Sequence, residues 1–95
     1  MKQRQPAPWM CNLDDLILEY IDREDWATAG LIESETTMNA SRGRAFERLK
    51  MMEQAGLVER EHHRGTMFDL TGEGKRYLRG DLDAENLPRP NPHVV

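Results

Sequence analysis

The stretch Leu49-Lys50-Met51-Met52-Glu53-Gln54-Ala55-Gly56-Leu57-Val58-Glu59-Arg60 changes period in its middle. Up to Ala55 the apolar positions recur every three to four residues, as on one face of a helix. From Leu57 an apolar pair gives way to alternating charge, as in a strand with one solvated side. Gly56 stands at the change, where a helix commonly ends in a left-handed residue. A helix running directly into a strand therefore anchors the fold.

Upstream, Ala45, Leu49 and Met52 form the helix's inward stripe, and Asn39 or Ser41 is its cap. Thr36 to Asn39 are turn-formers. Before them, Thr28 can cap a short helix through Leu31 and Ile32 to about Glu35, which Gly30 weakens. Trp26-Ala27-Thr28 is a short bridging strand. The clearest amphipathic helix runs from about Leu13 to Arg23: Leu13, Leu16, Ile17, Tyr20 and Ile21 face inward, and Asp14, Glu19 and Asp22 outward. Asn12 is its expected cap, with Asp15 completing an imperfect capping box.

Downstream, His63-Arg64-Gly65 is a turn, and Thr66, Met67, Phe68 and Leu70 are β-compatible, so residues 57–70 make a hairpin. Thr71 caps a fourth helix with Tyr77 and Leu78 inward and Gly80 as terminator. Pro6 and Pro8 keep residues 1–11 irregular, an N-terminal arm. Residues 12–82 form the domain, and Pro88, Pro90 and Pro92 make 83–95 an extended tail.

The class is α+β, mainly α: a winged helix-turn-helix with a three-helix core, a β-hairpin wing and a C-terminal helix. A short helix, a turn and a longer helix can place the longer one in a DNA major groove, and a hairpin directly after it can reach the neighbouring backbone.

Two segments resemble known regulators. Leu49 to Arg60, with Met52 at the second leucine, is similar to the L-x-x-L-x-x-x-G-L-V-x-R junction of winged-helix regulators. Leu70-Thr71-Gly72-Glu73-Gly74-Lys75-Arg76-Tyr77-Leu78 is similar to their L-T-x-x-G-x-x-Y-L wing exit. Trp9-Met10, Asp14 to Tyr20 and Gly80 to Ala84 resemble a narrower group, the haloarchaeal phage phiH repressor-like proteins. The resemblance implies DNA-binding transcriptional control, often by a homodimer. This sequence departs from it on the reading helix. Ala45 stands where a β-branched residue is frequent, and Phe46 and Glu47 where bases are.

Helical geometry sorts that reading helix, 41–55. Gly43, Glu47, Lys50 and Gln54 lie opposite the inward stripe, with Arg42 and Phe46 on one flank and Arg44, Arg48 and Met51 on the other. Ser41 is also counted in the DNA-facing set. Arg42, near the first turn, suits a guanine edge, and Arg44 and Lys50 suit phosphates. Gly43 permits close backbone approach. Phe46 can meet a thymine methyl, and Glu47 can accept from cytosine or only repel the backbone. On the wing the candidates are Arg60, His63, Arg64 and Thr66, with Arg64 at the tip. Trp9, Met10, Leu82 and Leu87 are the candidate dimer surface.

The 95 residues carry a net charge of −4, which at first opposes a nucleic-acid partner. The charge is uneven. Residues 1–41 hold three bases and eight acids (−5), 42–64 six bases and four acids (+2), and 65–95 four bases and five acids (−1). The one net-positive stretch is the reading helix and wing. Arginines outnumber lysines ten to three beside an acidic excess, a balance common in salt-loving organisms.

No apolar run suits a membrane span or a signal peptide, and a single cysteine fits a reducing cytoplasm. Neighbouring His62 and His63 would point to opposite faces of a strand, so no metal or other cofactor is expected. Asp14-Asp15 and Glu24-Asp25 are read as helix-end charge, and no nucleophile motif or phosphate loop accompanies them, so an enzyme is not expected. The rival readings are a protein-protein interaction module on the same scaffold and a phage or plasmid replication or partition factor.

Overall fold

A computed structural model of the protein describes residues 2–62 and 65–91. Its elements follow the order α1 (Asn12–Glu24), α2 (Ala29–Ser34), α3 (Arg42–Ala55), β1 (Val58–Arg60), β2 (Phe68–Leu70) and α4 (Gly72–Leu78), then a 3-10 turn at Ala84–Asn86. This is the mainly helical winged helix-turn-helix arrangement. Three helices enclose Ile17, Leu18, Ile21, Ile32, Leu49 and Met52, and the hairpin and α4 close that core with Leu57, Phe68 and Tyr77. None of the described helices is long and apolar enough to cross a membrane.

Local chemistry explains the helix boundaries. The Thr28 hydroxyl accepts from the Leu31 N–H at 3.1 Å, and the Ser41 hydroxyl from the Arg44 N–H at 3.1 Å. Gly56 ends α3 at φ 88°. Between α2 and α3, Met38 is buried and Asn39 takes the left-handed conformation at φ 50°, which asparagine tolerates better than most side chains. Ser41, not Asn39, is thus the cap of α3.

At α1 the cap differs from expectation. Cys11 is the N-cap, one residue before Asn12, and the carboxylate closing the box is Asp14, whose Oδ2 accepts from the Cys11 N–H at 3.0 Å. Asp14 is therefore not on the outer face: it is wholly buried. Asp15 instead accepts from the Tyr77 hydroxyl at 2.6 Å, and burial followed by this bond pushes the Tyr77 phenol well above its ordinary range.

The strands are shorter than their β-compatible runs. Val58 pairs with Leu70, Glu59 with Asp69 and Arg60 with Phe68. Two carboxylates opposite one another weaken the ladder at its centre. Ala27 adds a one-residue third strand: its N–H donates to the Phe68 carbonyl at 3.0 Å and its carbonyl accepts from the Phe68 N–H at 2.9 Å.

The junction and wing-exit motifs meet in space. The Thr71 hydroxyl donates to the Gly56 carbonyl at 2.6 Å and accepts from the Gly74 N–H at 3.0 Å, joining the end of α3 to the start of α4. At Gly74 a Cβ would lie 2.2 Å from the Leu57 carbonyl oxygen, so only glycine lets α4 seat there.

Arm and tail pack together. The Ala84 N–H donates to the Gln5 carbonyl at 2.9 Å, Lys2 pairs with Asp81 at 2.6 Å, and Arg4 bonds Glu19 and the Leu78 carbonyl. Ala7, Ala84 and Pro90 are buried, and the Asn91 N–H donates to Gln54 Oε1 at 2.7 Å. The described part of the tail, 83–91, thus packs where an extended run was expected: Ala84 joins the core and Leu87 packs against it.

Candidate nucleic-acid interface

The exposed side of α3 is set by what its other side must bury. Ala45, Leu49, Met52 and Ala55 face the core, which leaves Arg42, Gly43, Arg44 and Glu47 exposed and Phe46 and Lys50 half-buried. Ser41, exposed, begins this face. Beside it runs the hairpin, with Thr66 exposed near its turn. His63 and Arg64 lie outside the described residues.

Most of the cations expected here are already engaged, to different degrees. Arg42 has a side chain 71% exposed. Its backbone N–H donates to Glu33 Oε2 at 2.9 Å, and its Nε lies 3.7 Å from Glu33 Oε1. Its guanidinium rests over Gly30, where a Cβ would come within 3.2 Å of Nη2. Arg44 Nη2 lies 4.0 Å from the Cys11 sulfur. The Lys50 ammonium sits 4.7 Å from the centre of the Phe46 ring, a cation–π contact.

Arg60 is the most constrained. Its Nε donates to both Glu53 oxygens at 3.0 and 3.1 Å, its Nη1 to the Gly65 carbonyl at 3.4 Å, and its guanidinium stacks by the Phe46 and Phe68 rings at 5.4 and 5.0 Å. Its first role is to pin the hairpin to α3. The two phenylalanines meet edge to face, centroids 6.2 Å apart.

Arg42, Gly43, Phe46 and Thr66 come together with Thr28, Ala29 and Gly30 around one cleft of about 570 Å³ between the start of α2, α3 and the hairpin. Its walls are mainly apolar. The α2 residues were not among the expected site residues. Their contribution depends on how α2 docks against α3, for which the sequence holds no spacing signal.

Arg48 behaves unlike its neighbours. Placed by helical geometry on a flank, it is buried: its Nε donates to Asp14 Oδ1 at 2.8 Å and its Nη2 to Asp14 Oδ2 at 2.5 Å. A third bond runs from Nη2 to the Trp9 carbonyl at 3.1 Å, and Nη1 reaches the Met51 sulfur at 3.4 Å. The bond to Asp14 holds the guanidinium above its already high range. This fork ties the arm, α1 and α3 at one point. Arg48 adjoins the core stripe, three residues after Ala45 and four before Met52, which is the one hint the sequence offers.

The expected dimer residues Trp9, Met10, Leu82 and Leu87 are half-buried and pack against their own core. Trp9 and Leu87 border one small cleft of about 250 Å³ between arm and tail. Among the described residues no three of His, Cys, Asp and Glu are grouped as a metal ion would require.

A mainly α chain with a helix-turn-helix, a hairpin and a third helix that keeps one face exposed defines the winged-helix class. Within it, the chain is similar to the PhiH1 repressor-like protein from Haloarcula marismortui: 28% identity over 94% of this chain and 99% of that one, with a TM-score of 0.85. No protein-family model matches the chain, and no curated protein matches it significantly.

Proposed function

We propose that the chain is a DNA-binding transcriptional regulator, a repressor, that places α3 in the major groove and the hairpin beside it as a wing. The observation that carries this reading is the likeness, over nearly the whole of both chains, to a protein described as repressor-like. The exposed α3 face supports it. Arg42 stands near the helix start, where a guanidinium can meet a guanine edge, and Arg44 and Lys50 flank it toward the phosphates. His63, Arg64 and Thr66 belong to the wing contact. Arg60 acts there by holding the wing in place. Glu47 accepts from a cytosine amino group or only repels the backbone.

In this reading the domain is residues 12–82, with 1–11 an arm and 83–95 a tail. The protein works as a cytoplasmic homodimer that pairs through Trp9, Met10, Leu82 and Leu87, needs no cofactor and catalyses no reaction. A two-fold dimer would read half-sites about 10 bp apart or a multiple of that.

The test is selection of bound duplex from a random library at controlled salt, with light scattering of the free protein. An enriched palindrome and a dimer are the expected results. Absence of any enriched sequence would refute the reading and favour a protein-interaction module.

A further inference from the structure

The cleft between α2, α3 and the hairpin is the feature of the reading face that its charges do not explain. Base-pair edges in the major groove offer hydrogen-bond donors and acceptors, and one apolar group, the thymine methyl. An apolar wall facing a polar edge strips water from that edge without replacing its bonds, which disfavours it. A methyl group meets no such penalty.

Resting on the DNA-binding reading above, we propose that this cleft is a thymine receptor: Phe46 meets the 5-methyl edge of one thymine per half-site, next to the position that Arg42 contacts. Three observations carry it. The Phe46 ring is held before any DNA arrives, edge to face on Phe68 at 6.2 Å with the Arg60 guanidinium at 5.4 Å. The wall is open at Gly43, where a Cβ would meet nothing within 4 Å, while the Arg42 guanidinium lies over Gly30 at the cleft's edge. Arg42, drawn toward Glu33, is the charged residue that borders the cleft, and the Lys50 ammonium lies 4.7 Å from the Phe46 ring centre, near enough to meet the anionic backbone of the same strand. The volume of about 570 Å³ exceeds a methyl group and leaves room for the deoxyribose of the same nucleotide.

The experiment takes the site selected above and replaces its thymines one at a time with deoxyuridine, which removes the methyl and keeps every hydrogen-bonding atom. Binding is measured by fluorescence anisotropy at fixed salt. One position per half-site should weaken about three- to fivefold, the effect of one buried methyl. In Phe46→Ala that position should lose its thymine preference while the other positions keep theirs. Phe46 also packs on Phe68, so Gly43→Leu, which fills the cleft from its open side, is the second variant; it should fold and lose the same preference. Tight binding with no effect of uracil at any position would overturn the proposal and leave the DNA-binding reading standing. A uracil effect unchanged in both variants would overturn the assignment to this cleft. Failure to select any DNA would remove the reading and the proposal together.

Discussion

Replacing Arg48 with methionine should be among the most damaging single changes in this chain. Arg48 is 7% exposed and its partner Asp14 is 0% exposed. With Arg48 gone, Asp14 keeps the Cys11 N–H as a partner but loses two charge-assisted bonds, and the Trp9 carbonyl loses its donor. Breaking one side of a buried pair costs about 3–5 kcal/mol, because the charge left behind stays desolvated. In a domain of this size that corresponds to a fall in Tm of at least about 12 °C. The double variant Asp14→Leu/Arg48→Met removes both charges and replaces them with apolar volume. Such exchanges are often neutral, so it should recover most of the loss. The Trp9 carbonyl remains without its donor and holds back about 1–3 kcal/mol if it stays dry. Urea unfolding at pH 7 of the parent, both single variants and the double variant closes the cycle. A loss of under about 1 kcal/mol in Arg48→Met, or a double variant as unstable as the sum of the singles, would refute the description of a dry, coupled pair.

Gly74→Ala should lower stability by about 1–3 kcal/mol despite alanine's better helix propensity, since its Cβ would collide with the Leu57 backbone oxygen. Gly72→Ala, which meets nothing within 4 Å, is the control and should be neutral or slightly stabilising in the same thermal melts. Because the Tyr77 phenol is held above its ordinary value, the folded state keeps a proton that the unfolded state releases above about pH 10. Its contribution is therefore complete below that pH and is lost progressively as pH rises from there toward the higher folded-state value. Tyr77→Phe should flatten the fall of Tm between about pH 9.5 and 11, and an unchanged alkaline slope would count against the buried bond to Asp15. DNA affinity should fall with salt with a log–log slope no steeper than about −3 per protomer, the limit for Arg44, Lys50 and Arg64 acting on phosphates while Arg42 meets a base. A steeper slope in anisotropy titrations would mean that other cations take part.

The architecture was legible because its signals are local. Gly56 and Thr71 mark where one period stops and another starts, and the same two residues are hydrogen-bonded to each other in space. Thr28 and Ser41 cap the helices they precede for reasons contained in four consecutive residues. The same locality limited the reading of the site. Asp14 reads as an outer-face carboxylate and Arg48 as a flank cation when each helix is taken alone. Their burial comes from a partner 34 residues away and from the arm folding over both. Likewise Glu33 reaches Arg42 only because the α2–α3 turn, with Asn39 in a left-handed conformation, brings the helices together. Side-chain pairs across elements leave no periodic trace, and charged residues in such pairs look the same as solvated ones.

This changes the meaning of the positive stretch at 42–64. Its net of +2 counts Arg48, which spends its charge on Asp14 inside the core, so the segment shows the solvent one positive charge fewer. Arg60 is matched by Glu53, and Arg42 is drawn toward Glu33. A protomer with so little unpaired charge cannot hold DNA chiefly by counterion release, which provides most non-specific affinity. If it binds a defined site, shape and apolar fit must carry a larger share of the selection, and a second protomer must double the few phosphate contacts available. A preorganised aromatic ring in a cleft left open at Gly43 meets the first requirement at little electrostatic cost. Removing a single methyl from the DNA is accordingly a more searching test of this face than removing any one of its cations.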